Sequence, residues 1–298
     1  MLRTLAIDCG GTGIKGSVLD EDGRMLAERI RVKTPYPLPP ARFIGVLAEL
    51  ARRLPTAERI TVGMPGMIRH GVVVATPHYI TKSGPHSAVD ADLERAWRGF
   101  DVKEALQAEL QLPALVLNDA EVAGAGTVSG YGFEVVFTLG TGLGNAIFDN
   151  GVLLPHLEIS RSPIRRGRIY DEYIGDKARK RLGQTAWSLR VRDAVLGLKP
   201  MLRWDQLYLG GGNAVKVLPR HLRALGPGLT VVPNDVGIIG GVKAWEVSHL
   251  RSTPAERLAG DSRDELEQLV DTSIDTNVDP DLVEDGPAED GPSEVEPA

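Results

Sequence analysis

Two glycine-rich segments of the chain contain residue types that bind phosphate. In the first, Asp8-Cys9 precedes Gly-Gly-Thr-Gly, and Lys15 follows two residues later; the second is Gly-Thr-Gly-Leu-Gly at 140–144. Glycines let the backbone approach an anion closely, and successive N–H groups form an anion-binding nest. Threonine hydroxyls and the lysine add donors and positive charge. One such segment would indicate only a tight turn, whereas the matched pair favours phosphate binding.

The candidate phosphate ligands are the residues of these segments: Asp8, Gly10, Gly11, Thr12, Gly13 and Lys15, and Gly140, Thr141, Gly142 and Gly144. Asp8 ends the first predicted strand, where its carboxylate is also placed to hold a divalent cation such as Mg²⁺ beside the phosphates. A third glycine cluster, Leu209-Gly-Gly-Gly-Asn213, has two interpretations. It is either a plain strand-to-helix turn with Asn213 as helix N-cap, or a surface on which a nucleotide base and ribose lie.

Asn118 and Asp119 follow a short apolar strand, predicted at 114–117, and precede a helix predicted at 120–127. An aspartate at this place caps the helix, an effect worth about 1 kcal/mol, or acts as a general base on a hydroxyl nucleophile in phosphoryl transfer. The helix N-terminus is expected to keep Asp119 ionised. The cap would be favoured for this aspartate alone, but the paired phosphate segments favour the base.

The elements that carry these residues occur twice. Gly11–Asp20 (GTGIKGSVLD) aligns without a gap with Gly140–Asp149 (GTGLGNAIFD), and each copy is followed by a glycine turn. This match indicates internal duplication, and strands that alternate with helices indicate an α/β architecture. We therefore predict an N-terminal lobe at 1–117 and a C-terminal lobe at 118–250, facing each other across a cleft.

The charge of the chain is concentrated at its end. The net charge is −6, but residues 252–298 hold fifteen Asp or Glu against two Arg, and subtracting this −13 leaves the preceding residues with +7. A segment rich in acids, proline and glycine cannot bury enough apolar surface to offset the entropy of ordering. We predict a disordered acidic tail at 251–298, and a mildly basic body that suits an anionic substrate.

Removing residues 251–298 is expected to leave the thermal unfolding midpoint and the turnover nearly unchanged, because the composition of this segment offers no face to bury. Differential scanning calorimetry and activity measurements on the shortened chain provide the test. A fall of several degrees in the midpoint would show instead that the acidic segment docks on the basic body.

Several classes of protein are disfavoured by composition. A single cysteine, Cys9, excludes an internal disulfide framework and a zinc site with two thiolates. No apolar run approaches the roughly 20 residues needed to cross a bilayer, and the chain opens on a strand-like run with no signal-peptide pattern. We expect a cytoplasmic protein that binds neither membrane nor nucleic acid. The histidines, at 70, 78, 86, 156, 221 and 249, show no metal-ligand spacing and are predicted to be structural or surface residues.

Five motifs occur together in the order of a known family. They are Asp-Cys-Gly-Gly-Thr-Gly-Ile-Lys-Gly, Val-Gly-Met-Pro-Gly, Leu-Asn-Asp-Ala, Leu-Gly-Thr-Gly-Leu-Gly and Leu-Gly-Gly-Gly-Asn. Over roughly 2–245 the chain resembles the ROK family (repressor, open reading frame, kinase), most of all its polyphosphate glucokinase-like members. The resemblance implies an actin-like (ribonuclease H-like) ATPase fold, with two duplicated lobes around a central cleft. It also implies a hexose kinase that uses ATP or polyphosphate, with Mg²⁺.

Residue roles follow from the resemblance. Gly211 and Gly212 are expected to contact the nucleotide, and Asn118 and Asp119 the sugar, with Asp119 as the base. The expected partners are therefore a small-molecule sugar and a phosphoryl donor, and a homodimer is allowed for. Transcriptional repression is disfavoured, because repressors of this family carry an N-terminal helix-turn-helix that is not seen before the first strand.

The sugar-binding segment departs from the family pattern. The family's Glu-x-Gly-His corresponds to Glu158-Ile-Ser-Arg161, so arginine replaces a histidine. Histidine both donates and accepts, whereas arginine only donates and carries a fixed charge. We expect Glu158 to bind sugar and Arg161 to alter sugar preference. Glu172 matches a second sugar-binding glutamate, with Asp171 as its competitor.

Two further alternatives stay open. Residues 161–192 contain ten Lys or Arg against three acids, which indicates either solvated helix faces or a track for polyphosphate. The arginine at 161 and the short sugar segment leave a second function in view. That alternative is a catalytically weak or inactive sugar sensor or scaffold that retains the fold.

Overall fold

The computed structural model describes residues 2–85, 87–233 and 236–249. Its strands are β1 (Thr4–Cys9), β2 (Gly13–Leu19), β3 (Ile30–Lys33), β4 (Arg59–Met64), β5 (Met67–Arg69), β6 (Val72–Ala75), β7 (Ala114–Asn118), β8 (Phe133–Leu139), β9 (Leu143–Asp149), β10 (Val152–Leu153), β11 (Pro163–Arg165), β12 (Arg168–Ile169), β13 (Gln206–Gly210) and β14 (Leu229–Val231). Its helices are α1 (Pro40–Arg52), α2 (Ala91–Trp97), α3 (Val102–Leu110), α4 (Asp119–Ala125), α5 (Tyr170–Ile174), α6 (Asp176–Leu202), α7 (Pro219–Arg223) and α8 (Val236–His249).

Two five-stranded sheets carry the fold, and they share one plan. The first has the order β3-β2-β1-β4-β7, and the second has the order β10-β9-β8-β13-β14. In each, an antiparallel hairpin (β1–β2 or β8–β9) is extended by parallel strands (β4 and β7, or β13 and β14). This mixed α/β arrangement confirms the predicted fold class, and it places the two glycine-rich segments at the two hairpin turns.

Each sheet has its own apolar core. On the first, fully buried side chains such as Ile14, Phe43 and Val62 pack together with helices α1 and α3. On the second, Phe137 and Trp187 are fully buried. The alternation of buried residues along β1 and β8 is weak, because strands covered on both faces are nearly continuously apolar.

Helix α8 returns from the second half of the chain to the first sheet. The Thr61 hydroxyl donates to the Gly241 carbonyl (2.7 Å), and the Trp245 indole N–H donates to the Thr61 oxygen (2.7 Å). Gly240 fits against the Val122 carbonyl of α4 with no room for a Cβ. The division into lobes at 1–117 and 118–250 stays a prediction, and the predicted tail at 251–298 lies outside the described residues.

The second half departs locally from the sequence expectations. The chain is extended at Gly175, which separates α5 from α6. Helix α6 is interrupted at Gly183, whose φ of 73° lies outside the helical region. The helix predicted after the third glycine cluster is a three-residue 3₁₀ turn followed by α7. In the part of the chain that the structure describes, no helix has the length and apolar composition needed to cross a membrane.

Candidate active site

Asp119 forms part of the wall of two adjoining cavities. The first, of about 180 Å³, is lined by both glycine turns and by carboxylates. The second, of about 190 Å³, lies against the third glycine cluster and Asp8. Asp119 therefore lies between two spaces of different chemistry.

Most of the predicted site residues line these cavities. Those on the first cavity are Gly10, Gly11, Asn118, Asp119, Gly140, Thr141, Gly142, Gly144 and Glu158. Those on the second are Asp8, Asp119, Gly140, Gly211 and Gly212. Thr12, Gly13, Lys15 and Glu172 line neither of the two.

The helix α4 is capped by Asn118 and not by Asp119. Asn118 is the N-cap: its side-chain oxygen accepts from the Ala120 N–H (2.8 Å), and its side-chain amide donates to the Gly66 carbonyl (2.8 Å). Glu121 completes a capping box by accepting from the Asn118 N–H (3.0 Å). Because Asn118 is the N-cap, Asp119 is not required there, although one of its oxygens lies 3.0 Å from the Ala120 nitrogen.

The electrostatic surroundings of Asp119 differ from the sequence expectation. Burial, reinforced by the negative charge of Asp8, raises its pKa from 3.8 to about 6. The expectation that the helix N-terminus governs its ionisation was incomplete, because the Ala120 N–H only partly offsets burial. A carboxyl group with this pKa is still mostly ionised at neutral pH, and it is a stronger base than an ordinary aspartate.

The first glycine turn is braced from outside the cavity. The Gly10 N–H donates to the Gly13 carbonyl (3.0 Å) across the turn. The Gly10 carbonyl accepts from the Thr34 hydroxyl (2.7 Å), and the Gly11 carbonyl accepts from the Tyr36 phenol (2.8 Å). Burial raises the pKa of Tyr36 to about 12, so the phenol keeps its proton at neutral pH. The turn is therefore held in shape without a ligand.

Lys15, predicted as a phosphate ligand, lines neither cavity itself but contacts Asp8, which lines the second. It lies directly opposite Asp8 in the β1–β2 pair, and its Nζ is 3.3 Å from Asp8 Oδ2. Directly opposed residues in a sheet project to the same face, so the lysine charge is directed onto Asp8. Thr12 is exposed, and the guanidinium of Arg31 covers Gly13.

The second glycine turn is shaped by contacts with later segments. The Gly140 N–H donates to the Gly142 carbonyl (3.0 Å). Asn213 donates its side-chain amide to the Gly140 carbonyl (3.0 Å) and makes no capping hydrogen bond. Its interpretation as a helix N-cap was therefore wrong, since the third glycine cluster precedes only a 3₁₀ turn. Asn213 instead ties that cluster to the second glycine turn.

Carboxylates dominate the far side of the first cavity. Glu158 accepts from the Ser160 hydroxyl (2.6 Å), and Asp171 accepts from the Leu143 N–H (2.8 Å). Burial raises the pKa of Asp171. Burial also disfavours ionised Glu158, but the nearby His156 and the Ser160 hydroxyl outweigh it and lower its pKa. The carboxylate oxygens of Glu158 and Asp171 can accept hydrogen bonds from hydroxyl groups.

Of the two competing acids in α5, Asp171 reaches the cavity. Glu172 is exposed, and its carboxylate lies 3.3 Å from the Ile169 nitrogen at the start of the helix. The sequence interpretation chose Glu172 for sugar binding, with Asp171 as its competitor, whereas the structure places Asp171 on the cavity wall. The two residues are adjacent in α5, so the rotation of this helix decides which of them faces the cavity. Ser160, His78 and His156, which were not predicted as site residues, also lie at or beside this cavity. Their segments have no periodic pattern that would have indicated it.

Arg161 is exposed and does not line the first cavity. Its positive charge still acts on Glu158 and Asp171, and it favours the ionised form of each. Ser160, one residue earlier, lines the first cavity instead.

Arg161→His is expected to raise glucose phosphorylation relative to the wild type, with the apparent affinity for the donor little changed. Because the contact is electrostatic rather than direct, we expect a modest change, of about threefold or less in the KM for the sugar. Steady-state kinetics with each substrate varied provide the measurement. A change confined to the donor KM would place Arg161 with the donor instead.

Comparison with known proteins gives one consistent picture. A model of the ROK family matches residues 4–155, half of the 298-residue chain. A polyphosphate glucokinase of Mycobacterium tuberculosis is 27% identical over 252 residues, covering 80% of this chain and 89% of the relative.

Solved structures agree with that match. The crystal structure of an inorganic polyphosphate/ATP-glucomannokinase from Arthrobacter sp. strain KM has a TM-score of 0.66 and 30% sequence identity, over 83% of this chain and 98% of the other. A ROK family glucokinase from Streptomyces griseus, in complex with glucose and AMPPNP, has a TM-score of 0.61 over 83% of this chain and 99% of the other. At 19% identity, the latter supports the fold alone.

Proposed function

The chain belongs to the ROK family, and we propose that it is a hexose kinase that transfers a phosphoryl group from ATP or polyphosphate to a sugar hydroxyl. The observation that carries this proposal is the position of Asp119. It stands on the wall shared by a carboxylate-lined cavity and a glycine-lined cavity. A base at such a boundary is suited to deprotonate an acceptor in one cavity as it attacks a donor in the other.

The first cavity suits a neutral polyol. Asp119, Glu158 and Asp171 offer carboxylate oxygens, and the Asn118 amide lies among them. These groups accept hydrogen bonds from sugar hydroxyls and would repel an anionic sugar. This composition supports glucose or a similar hexose as the acceptor, with Glu158 and Asp171 holding hydroxyls and Asp119 next to the one that reacts.

The second cavity suits the donor. Gly211 adopts a φ of 83° and lies too close to the Leu139 backbone for any Cβ, so its backbone forms a flat surface. Gly210 and Gly212 continue this surface, and the Val136 and Val232 side chains add apolar wall. The donor phosphates would extend from this cavity toward the glycine turns at 10–13 and 140–144, which line the first cavity and offer backbone N–H groups.

Mg²⁺ fits the residues present. Among the described residues no group of three or more His, Cys, Asp or Glu forms a ready-made metal site. Mg²⁺ in kinases is commonly held by one or two carboxylates together with substrate phosphates. Asp8 lines the second cavity, and Lys15 approaches only its Oδ2. Asp8 would hold the ion, which would neutralise charge on the donor phosphates.

In the proposed mechanism the protein positions the two substrates and provides one proton acceptor. Glu158 and Asp171 orient the sugar, and Asp119 takes the proton of the attacking hydroxyl as the new O–P bond forms. The bond between the transferred phosphorus and the bridging oxygen of the donor breaks in the same step, which releases ADP or a polyphosphate that is one phosphate shorter. The glycine N–H groups stabilise charge on the transferred phosphoryl group, which is the main protein contribution to such reactions. The proton remains on Asp119 until the sugar phosphate leaves.

Use of polyphosphate is supported by unpaired cations in residues 161–192. Arg179 and Lys180 pair with Asp176 (2.7 and 2.8 Å), and Arg192 pairs with Asp193 (2.7 Å). The remaining exposed cations, which have no ion pair within the described ranges, are Arg161, Arg165, Arg166, Arg168, Lys177 and Arg181. A polyanion is the donor that would benefit from such a surface.

A coupled assay of several hexoses, each with ATP and with polyphosphate, tests the proposed function. We expect at least one hexose to be phosphorylated, and Asp119→Ala to abolish the signal. Sugar binding without turnover with either donor would favour the alternative, a sugar sensor or scaffold.

We further propose a cytoplasmic location, supported by the single cysteine, which is buried and unpaired.

A further inference from the structure

His156 lies between two carboxylates beside the first cavity. Its Nδ1 is 3.8 Å from Glu121 Oε1, and its Nε2 is 3.8 Å from Glu158 Oε2. Only 2% of the His156 side chain is exposed, and Glu121 is equally buried. Neither ring nitrogen has a hydrogen-bond partner among the described residues. The imidazole is therefore a buried polar group whose nearest charged neighbours are two acids.

A neutral imidazole is poorly suited to this place. Burying polar nitrogens without hydrogen bonds is destabilising. The buried Glu121 carboxylate and the partly buried Glu158 carboxylate, each 3.8 Å from the ring, would also repel each other without a cation. An imidazolium removes both difficulties, because both nitrogens become donors directed at acceptors. Burial lowers the pKa of His156, but Glu158 and Glu121 outweigh burial, and the net direction is upward.

The two acids have separate duties in the site. Glu121 accepts from the Asn118 N–H (3.0 Å) and so fixes the start of α4, where Asp119 is presented. Glu158 lines the first cavity from the irregular segment that follows β10. His156 is thus the contact between the helix that carries the base and the segment that carries a sugar-binding acid.

We propose that His156 is a positioning residue whose imidazolium bridges Glu121 and Glu158 and thereby fixes the bound sugar relative to Asp119. This inference rests on the proposed hexose kinase function. His156 does not line the cavity, so it acts through Glu158 and does not itself meet the reacting atoms. Its loss would misplace the acceptor without touching the donor cavity.

The test compares His156→Gln with His221→Gln in the full chain. Glutamine keeps a polar side chain but cannot carry the bridging charge. His221 is a matched control: it is also buried (8% exposed), lies on α7, and lines neither cavity. We expect His156→Gln to raise the sugar KM and lower kcat, for a loss of roughly 10- to 100-fold in kcat/KM for the sugar. The donor KM should stay close to the wild type, and His221→Gln should change none of the kinetic values. The unfolding midpoint of His156→Gln should fall, because Glu121 and Glu158 lose the cation between them.

Two results would overturn the proposal. One is a sugar kcat/KM within about twofold of the wild type in a folded His156→Gln protein. The other is an equal loss of sugar use and donor use, which would make His156 a structural residue only. If His156→Gln does not fold, Glu121→Gln carries the same test, because it keeps an oxygen for the Asn118 N–H but removes one end of the bridge. An unchanged sugar KM in that variant would also reject the bridge.

Failure of the proposed kinase function can be distinguished from failure of the proposed role of His156. If the wild type phosphorylates no hexose, the kinase assignment fails before any variant is compared. Calorimetric titration of glucose into the wild type and His156→Gln then still measures whether His156 governs sugar binding. Equal glucose affinity in the two proteins would reject the role of His156 independently of catalysis.

Discussion

Replacing Asp119 by alanine is expected to lower kcat for sugar phosphorylation by about 10²–10⁴-fold, the usual effect of losing a positioned base. The protein should remain folded, because Asn118 caps α4 and Glu121 completes the capping box. Burial raises the pKa of Asp119 from 3.8 to about 6, so the ionised carboxylate is held at a cost to folding. Removing that carboxylate should therefore not reduce the unfolding midpoint measured at neutral pH.

Asp101→Ala is the matched control for this experiment. Asp101 is also at a helix start, but there its carboxylate accepts from the Glu104 N–H (2.8 Å) and acts as a true cap. Its loss should cost about 1 kcal/mol of stability and leave turnover intact, the reverse of the effect at Asp119. Activity within about threefold of the wild type in a folded Asp119→Ala protein would remove Asp119 from the base role.

The pH dependence of the wild type should report the same group. A general base must be deprotonated, so we expect kcat/KM for the sugar to fall as the pH drops through about 6, the pKa of Asp119. The effect of Asp119 on stability has the opposite sign. Because its pKa is raised, the folded state binds the proton more tightly than the unfolded state does. Protonated Asp119 therefore stabilises the fold at a pH below its unfolded pKa, and this contribution is lost as the pH rises through about 6. If kcat/KM instead falls only as the pH drops through about 4, the pKa of an ordinary carboxyl group, the environment described for Asp119 is contradicted.

The parts of the site that could be predicted are those set by local sequence. The glycine turns at 10–13 and 140–144 each sit within a continuous strand–turn–strand pattern, and the duplication of that pattern indicated the architecture. The junction at Asn118 and Asp119 was equally local. In each case the neighbours along the chain determine where the backbone goes.

The parts that could not be predicted depend on packing between distant segments. The direction of Lys15 onto Asp8 depends on register across a strand pair. The choice of Asp171 over Glu172 depends on how α5 is rotated against the second glycine turn. His156 lies in an irregular segment. Its contact with Glu121, which is 35 positions earlier in the chain, depends on the folded structure and could not be predicted from the local sequence.

The contact between Asp171 and the second glycine turn leads to the other large expected effect. Gly142 faces the Asp171 carboxylate so closely that a Cβ would overlap its Oδ1. That oxygen also accepts from the Leu143 N–H (2.8 Å). The aspartate side chain is short, so it cannot yield to a methyl group and still keep this hydrogen bond and its place in the cavity. Gly142 is thus required by a neighbour and not by its own backbone angles.

Gly142→Ala is expected to raise the sugar KM by about 10- to 100-fold, which corresponds to losing a hydrogen bond to a charged group. Asp171→Ala should have an effect of similar size, and the double variant should be little worse than Asp171→Ala alone, because both changes remove one interaction. Gly45→Ala, in α1 with no atom within 4 Å of a new Cβ, controls for the general effect of adding a methyl group. Sugar KM values for the wild type, Gly142→Ala, Asp171→Ala and the double variant complete a double-mutant cycle. Additive losses in that cycle would show that Gly142 acts independently of Asp171, for example through the phosphates, and that Asp171 is not held in place by the glycine turn.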